Sequence, residues 1–119
     1  MKKEERERLI DVLIKSLDFN ATGKTLEEIH RAVVKVFGHE IVTKSRAREM
    51  YVGRVVFSYI GFLEGYSETC MGKYLSKHHS SVHLMKGMMK DWLQMPRLYK
   101  KEIEKYEQVR KELNYETDR

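Results

Sequence analysis

A short stretch near the middle of the chain concentrates positive charge. Residues 70–90 contain four lysines and three histidines and no aspartate or glutamate. These residues are Lys73, Lys77, Lys86, Lys90, His78, His79 and His83. In the rest of the 119-residue chain basic and acidic groups nearly balance, and the formal net charge is +5. A local excess of this kind indicates a polyanionic partner.

A second pattern imitates a nucleotide-binding motif. The tripeptide Gly23-Lys24-Thr25 matches the end of a phosphate-binding loop. The full motif needs an earlier glycine where this chain has Asp18, and it must follow a buried strand. The preceding segment has the pattern of a helix instead. We therefore interpret Thr25 as a helix cap and predict no nucleotide cofactor.

Metal-binding and catalytic patterns are equally incomplete. His79 and His83 have the spacing of two metal ligands on a helix, but no glutamate base lies between them and Cys70 is expected on another helix. Ser80 and Ser81 are sequence neighbours of His79 and face different ways on a helix, so no Ser-His-Asp arrangement follows from their spacing. We predict that the protein has no enzyme activity, no metal and no cofactor.

Composition and length limit the broad class of the protein. The length favours one domain, and the 34% of charged residues suits exposed helices better than a large buried sheet. A single cysteine favours a reducing compartment. The chain shows neither a secretory signal nor an apolar run long enough to cross a membrane. These features together predict a cytoplasmic protein.

Hydrophobic periodicity and capping signals predict an all-α chain of about six helices. Residues 45–63 are the most ambiguous segment, because several of them favour strands. That run has no turn signal and no strict alternation, so we predict a long, buried, central helix. The predicted helices are residues 4–18, a helix from the Thr25 cap to Gly38, 45–63, 67–75, 79–95 and 97–114.

The helices predicted at 67–75 and 79–95 have the outline of a helix-turn-helix. One stripe of the second helix faces the core, and it consists of Val82, Met85, Met89 and Trp92. Another face carries His79, His83, Lys86 and Lys90, with Ser80 and Gly87 beside it. Short hydrogen-bonding side chains in the first turn and lysines farther along suit docking in a DNA major groove.

Several residues in this region occur in an order and spacing that match a known protein family. They are Arg46, Arg48 and Arg54 before the long helix, then Ser67, Met71 and Gly72, then Lys77, His78, His79, Ser80, Ser81 and Val82. With this order and spacing, residues 25–95 resemble the C-terminal DNA-binding domain of the bacterial chromosomal replication initiator DnaA. The resemblance implies a Trp-repressor/DnaA-like helix-turn-helix bundle. Residues 1–24 and 96–119 would then be an N-terminal helix with a loop and a charged C-terminal helix.

The resemblance also implies a role for each residue on double-stranded DNA. Arg54 is expected in the minor groove, with Arg46 and Arg48 close to phosphates. His79, Ser80 and Ser81 are expected at base edges of the major groove, with His83 on the same side. The backbone contacts expected are Lys77, Lys86 and Lys90. An additional replication or regulatory protein is a second candidate partner.

Some residues depart from the family pattern. His78 stands where the family has an aspartate helix cap, so this cap is expected to be lost. Gly53 replaces a proline, and the two serines replace threonines whose methyl groups can touch thymine. The sequence contains no counterpart of the ATPase domain of the initiator. We therefore expect a stand-alone DNA-binding protein rather than a complete initiator.

Two alternatives stay open from the sequence. The three arginines are also placed to pair with Glu49 or Glu64 as part of an ordinary surface. More broadly, the chain fits a helical protein-interaction module in which the DNA-facing side is vestigial and the charged terminal helices bind a partner. Replication control, transcription regulation and mobile-element maintenance, the DNA target and the oligomeric state are all undetermined by the sequence.

Overall fold

The structure is a computed structural model that describes residues 23–115, and this part of the chain forms five helices. They are α1 (Leu26–Phe37), α2 (Arg48–Leu63), α3 (Glu68–Leu75), α4 (His79–Gln94) and α5 (Lys100–Glu112). No strand occurs between residues 23 and 115, which confirms the all-α prediction. The helix predicted at 4–18 lies outside the described residues.

The start of α1 confirms the predicted capping box. The Thr25 hydroxyl accepts a hydrogen bond from the Glu28 backbone N–H at 3.0 Å, and the Glu28 carboxylate accepts one from the Thr25 N–H at 3.1 Å. Gly38 ends the helix in the left-handed conformation, at φ 80°. These reciprocal bonds satisfy backbone donors that a helix start otherwise leaves without partners.

Helix α2 is the centre of the bundle, as its sequence predicts. A continuous run of its residues, from Val52 to Ser58, is buried, and it packs against α1, α3 and α4. A side chain at Gly53 would meet the Ile41 side chain at 2.6 Å, so the absence of a Cβ there admits the loop that precedes α2. A segment rich in β-branched residues is therefore helical because it is enclosed on nearly all sides.

Helix α5 is part of the same core and not a separate arm. Its buried residues Tyr106 and Val109, with Leu113 just beyond its end, join the cluster that contains Trp92. The helix begins at Lys100 and not at residue 97 as predicted. Residues after Pro96 first make a turn, in which Leu98 and Tyr99 donate to the Met95 carbonyl at 3.1 and 3.2 Å.

The two ends of the described chain meet at the end of α2. One Glu64 carboxylate oxygen accepts a hydrogen bond from the Gly23 N–H at 2.9 Å, and the other accepts one from the Tyr115 hydroxyl. Burial and this carboxylate raise the pKa of Tyr115 well above its usual range. Residues before α1 and after α5 are thus held together by one side chain.

The loop between α1 and α2 is shaped by Glu40. Its carboxylate accepts hydrogen bonds from the backbone N–H groups of Ile41 at 2.8 Å and Val42 at 3.0 Å, and it also contacts the His30 ring. The Val42 and His30 hydrogen bonds stabilise the charged form and lower the Glu40 pKa from 4.5 to about 2. Its charge is therefore part of what orders the loop.

We expect the stabilising effect of Glu40 to disappear in acid. Because the folded-state pKa lies below the unfolded value, this contribution is complete above pH 4.5 and is lost as the pH falls towards about 2. Glu40→Gln should lower the free energy of unfolding by about 1 kcal/mol at pH 7, a value reduced for the half-exposed side chain. Urea unfolding from pH 7 to pH 3 should show this penalty shrinking; a penalty independent of pH would contradict the assignment.

Candidate nucleic-acid interface

Helices α3 and α4 form the predicted short helix, three-residue turn and longer helix. The Ser67 hydroxyl caps α3 by accepting from the Cys70 N–H at 3.0 Å. After Leu75, Ser76 adopts a left-handed conformation at φ 57°, and the Lys77 N–H donates to the Gly72 carbonyl at 2.8 Å. The chain therefore reverses within residues 76–78 and enters α4 at His79.

Gly72 makes this turn possible. A Cβ on Gly72 would lie 2.7 Å from the Lys77 carbonyl oxygen and 3.3 Å from the His79 backbone nitrogen. Both neighbours are backbone atoms, so neither can rotate away as the end of a flexible side chain would. The angle between α3 and α4 consequently depends on a residue without a side chain at this point.

His78 caps α4, which corrects the expectation that the cap is lost. Its Nδ1 accepts a hydrogen bond from the Ser80 backbone N–H at 3.2 Å and lies 2.8 Å from the Ser80 hydroxyl. The imidazole nitrogen thus replaces a carboxylate oxygen as the acceptor at the first turn. The same contact fixes the position of Ser80.

An aspartate at position 78 should cap the helix more strongly. His78→Asp places a charged acceptor at the positive end of the α4 dipole, and we expect about 0.5–1 kcal/mol of added stability from it. His78→Ala should lower stability by about 1 kcal/mol, because the Ser80 N–H loses its partner. Chemical denaturation of the three proteins measures both changes. An alanine variant as stable as the wild type would show that the histidine cap contributes nothing.

Helix α4 has the predicted buried stripe and a different outer face. Val82, Met85, Met89 and Trp92 are all buried, as expected. The side that points directly away from this stripe carries Ser80, His83, Leu84 and Gly87, spaced i, i+3, i+4 and i+7. Of the predicted base-reading residues, His79 and Ser80 are exposed and Ser81 is half-buried. Leu84 is an outer-face residue that was not predicted, although its helical offset from the core stripe is sufficient to identify it.

The predicted phosphate contact of Lys86 does not agree with its position. Its ammonium lies 2.7 Å from a Glu68 carboxylate oxygen and 4.3 Å from the centre of the Phe62 ring. Only 14% of the Lys86 side chain is exposed. The same carboxylate oxygen lies 2.7 Å from Nδ1 of His83. Lys86 therefore binds α4 to α3, because helix geometry turns it towards the protein rather than towards solvent.

Lys90 is placed differently from Lys86. It is exposed at the surface of α4, and its ammonium lies 5.0 Å from the centre of the Phe62 ring. Lys77, in the turn, is half-buried, and Lys73 on α3 is exposed. The positive charge available at the turn thus comes from Lys73 and Lys77, whereas Lys90 lies about 17 Å farther along α4.

Arg54 contradicts the minor-groove prediction. Its side chain is buried, with 5% exposure, in the middle of α2. The guanidinium donates to three backbone carbonyls of the preceding loop, those of Ile41 at 2.8 Å, Thr43 at 2.8 Å and Ser45 at 2.9 Å. These bonds use Nε and Nη2, and the burial of the side chain keeps the guanidinium away from a DNA groove. Arg54 is a residue that holds the loop from inside the protein.

The other two arginines, Arg46 and Arg48, differ from Arg54 and from each other in the groups that they contact. Arg48 pairs with Glu102 on α5 at 3.2 Å and lies over the Trp92 ring at 5.2 Å. Its partner is therefore neither Glu49 nor Glu64, the two acids that the sequence suggested. Arg46 is exposed in the loop and makes no ion pair within residues 23–115. Of the three, Arg46 is the one with an available charge.

Neither a metal-binding cluster nor a membrane-spanning helix occurs within residues 23–115. No group of three histidine, cysteine, aspartate or glutamate side chains is arranged to hold a metal ion in this range. Within the same residues, no helix has both the length and the apolar character that crossing a membrane requires.

Comparison with known proteins returns no relative. No family model matches the chain, and neither a curated protein nor a solved structure is significantly similar to it.

Proposed function

We propose that the protein binds double-stranded DNA through α3 and α4, in the manner of a replication-initiator helix-turn-helix, and prefers certain sequences. The binding is passive, by docking in a groove and neutralising phosphates. Regulation follows from competition with other proteins or from their recruitment. The resemblance of residues 25–95 to the DnaA C-terminal domain belongs to this proposal, and replication control and transcription regulation are the two processes it suggests.

The observation that carries the proposal is the exposed first turn of α4. His79 and Ser80 are exposed there, at the positive end of the helix dipole. The stripe on the other side of α4 is buried against the core. Lys73 and Lys77 add positive charge at the turn, whereas Lys86 is paired with Glu68. A helix start with short polar side chains can approach base edges closely, and its backbone N–H groups and nearby cations suit phosphates.

The residues proposed to contact phosphate differ from those expected from the sequence. Lys73 and Lys77 lie at the turn, Lys90 lies about 17 Å farther along α4, and Arg46 is exposed in the loop before α2. Lys86 and Arg54 act through other residues, since Lys86 binds Glu68 and Arg54 binds the loop carbonyls. Lys86 and Arg54 are therefore positioning residues, which hold the DNA-facing surface in place without contacting DNA themselves.

The test separates base reading from phosphate contact. A preferred duplex is first selected from a random pool, and binding isotherms are then measured on it and on a scrambled duplex at two salt concentrations. Lys90→Ala should weaken both duplexes equally and reduce the salt slope by about one unit. Ser80→Ala should cost about 1–3 kcal/mol on the preferred duplex and much less on the scrambled one.

The matched control is Lys101→Ala, which removes the same charge from an exposed position on α5. It should leave the affinity and the salt slope nearly unchanged. If Lys101→Ala and Lys90→Ala change the affinity and the salt slope equally, the charge of Lys90 does not contribute specifically to DNA binding. If Ser80→Ala weakens every duplex in the same proportion, the helix does not read bases, although DNA binding survives.

One observation favours the second candidate function, a protein-interaction module. Met95 and Leu98, in the connection between α4 and α5, are large apolar residues with exposures of 41% and 73%. A partner bound at such residues would bury apolar surface, and its affinity would depend little on salt. DNA binding with several phosphate contacts weakens steeply as salt rises. A salt titration of any complex therefore distinguishes the two functions.

A further inference from the structure

We propose that Leu84 contacts a thymine methyl group, and that Gly87 leaves the space for the base edge to approach the α4 backbone. This inference rests on the proposed function and specifies its substrate as duplex DNA with a thymine at one defined position. Leu84 and Gly87 lie in the second and third turns of α4, beyond the first turn that carries His79 and Ser80.

The exposure of Leu84 is the first observation. Its relative exposure is 68%, and within residues 23–115 only two other large hydrophobic residues are exposed. Met95 and Leu98, the other two, lie in the connection after α4, whereas Leu84 lies on the helix that carries the polar first turn. It follows Ser80 by four residues, so the two side chains are neighbours on one face.

The second observation is an open glycine inside the helix. Gly87 lies in the interior of α4, where glycine costs about 1 kcal/mol relative to alanine. A Cβ added there would meet no atom within 4 Å, so packing inside the protein does not require the glycine. Gly72 shows the opposite situation, because a Cβ there would strike the backbone. An open glycine on an outer helix face suits a ligand that approaches the backbone closely.

Leu84 and Gly87 are three residues apart and share the outer face with Ser80. Along the helix, this face therefore presents the Ser80 hydroxyl, then the Leu84 isobutyl group, then the open space beside Gly87. In the major groove, thymine is the base that offers a methyl group, and an apolar side chain is its complement. Asp91 lies one turn beyond Gly87 and would repel phosphates, so it marks where the contact with DNA ends.

The test removes the methyl group from the DNA and the side chain from the protein, singly and together. Starting from the duplex selected from a random pool, each thymine is replaced in turn by deoxyuridine, which lacks only the C5 methyl. At one position the wild-type protein should lose about fourfold in affinity, the factor expected for one buried methyl group. Leu84→Ala should lose a similar factor on the thymine duplex and be insensitive to deoxyuridine at that position.

Two further variants make the result specific. Leu98→Ala removes an equally exposed leucine outside α4 and should bind every duplex as the wild type does. Gly87→Ala should weaken binding at least about fivefold, because a methyl group fills the gap. The same variant should raise the thermal midpoint by about 4 °C, since alanine favours the helix. Loss of binding in a more stable protein is not explained by unfolding.

The possible failures are distinguishable. If the wild type binds the selected duplex but no single deoxyuridine weakens it, or if Leu84→Ala stays sensitive at that position, the thymine contact is refuted and DNA binding stands. If Gly87→Ala binds as tightly as the wild type, the close approach is refuted. If selection recovers no preferred duplex, both this inference and the proposed sequence preference fail.

Discussion

Replacement of Arg54 by methionine should lower the free energy of unfolding by about 3 kcal/mol, because one buried and two partly buried carbonyl groups lose their hydrogen-bond donor. The methionine fills much of the space but donates nothing to the carbonyls of Ile41, Thr43 and Ser45. Arg54→Lys should recover part of the loss, since one ammonium cannot reproduce the geometry of the guanidinium. Chemical denaturation followed by circular dichroism measures the change.

The control for Arg54 is Arg46→Met, the same substitution at an exposed position in the loop. It should change stability by less than about 0.5 kcal/mol and should weaken DNA binding under the proposed function. The opposite pattern, with Arg54→Met fully stable and deficient only in DNA binding, would restore the minor-groove role that burial argues against.

Replacement of Gly72 by alanine should destabilise the protein by about 2 kcal/mol, although alanine is the better helix former. The added Cβ would lie 2.7 Å from the Lys77 carbonyl oxygen, so the turn between α3 and α4 must open. Because this turn orients α4, the affinity for DNA of the fraction that remains folded should fall as well. Denaturation midpoints and binding isotherms on the selected duplex measure the two effects.

Gly87→Ala is the matched control for Gly72→Ala, because both glycines lie within helices of the same unit and the substitution is identical. With nothing within 4 Å of the new Cβ, Gly87→Ala should increase stability by about 1 kcal/mol. The two changes in stability therefore have opposite signs. Equal signs would mean that the close contacts of Gly72 do not govern the turn.

The elements of the fold that local signals specify were predictable from the sequence. The Thr25–Glu28 capping box and the Ser67 cap each involve residues within one turn of each other, so the pattern alone identifies them. The buried stripe of α4 follows from the helical period in the same way. Two helix starts were wrong by three residues: α2 begins at Arg48 and not at residue 45, and the turn after Pro96 delays the start of α5 to Lys100.

Long-range contacts explain what the sequence did not predict. The hydrogen bonds of Arg54 reach back to a loop up to 13 residues away, and no local pattern distinguishes such an arginine from an exposed one. Lys86 faces Glu68 only because α3 packs beside α4. In both cases the resemblance assigned a basic residue to DNA, whereas its surroundings turn the charge inwards.

Trp92 can serve as an intrinsic fluorescence probe of folding. It is the single tryptophan of the chain, is 1% exposed and is stacked on the Tyr99 ring with centroids 5.6 Å apart. It follows His79 by 13 residues, which places it about 20 Å along the helix axis from the first turn. Its emission should shift to longer wavelength on unfolding and stay nearly constant when a duplex lies on the outer face of α4, because Trp92 belongs to the buried stripe on the other side of the helix. One fluorescence signal can then record the folding of each variant in the same cuvette that holds the duplex.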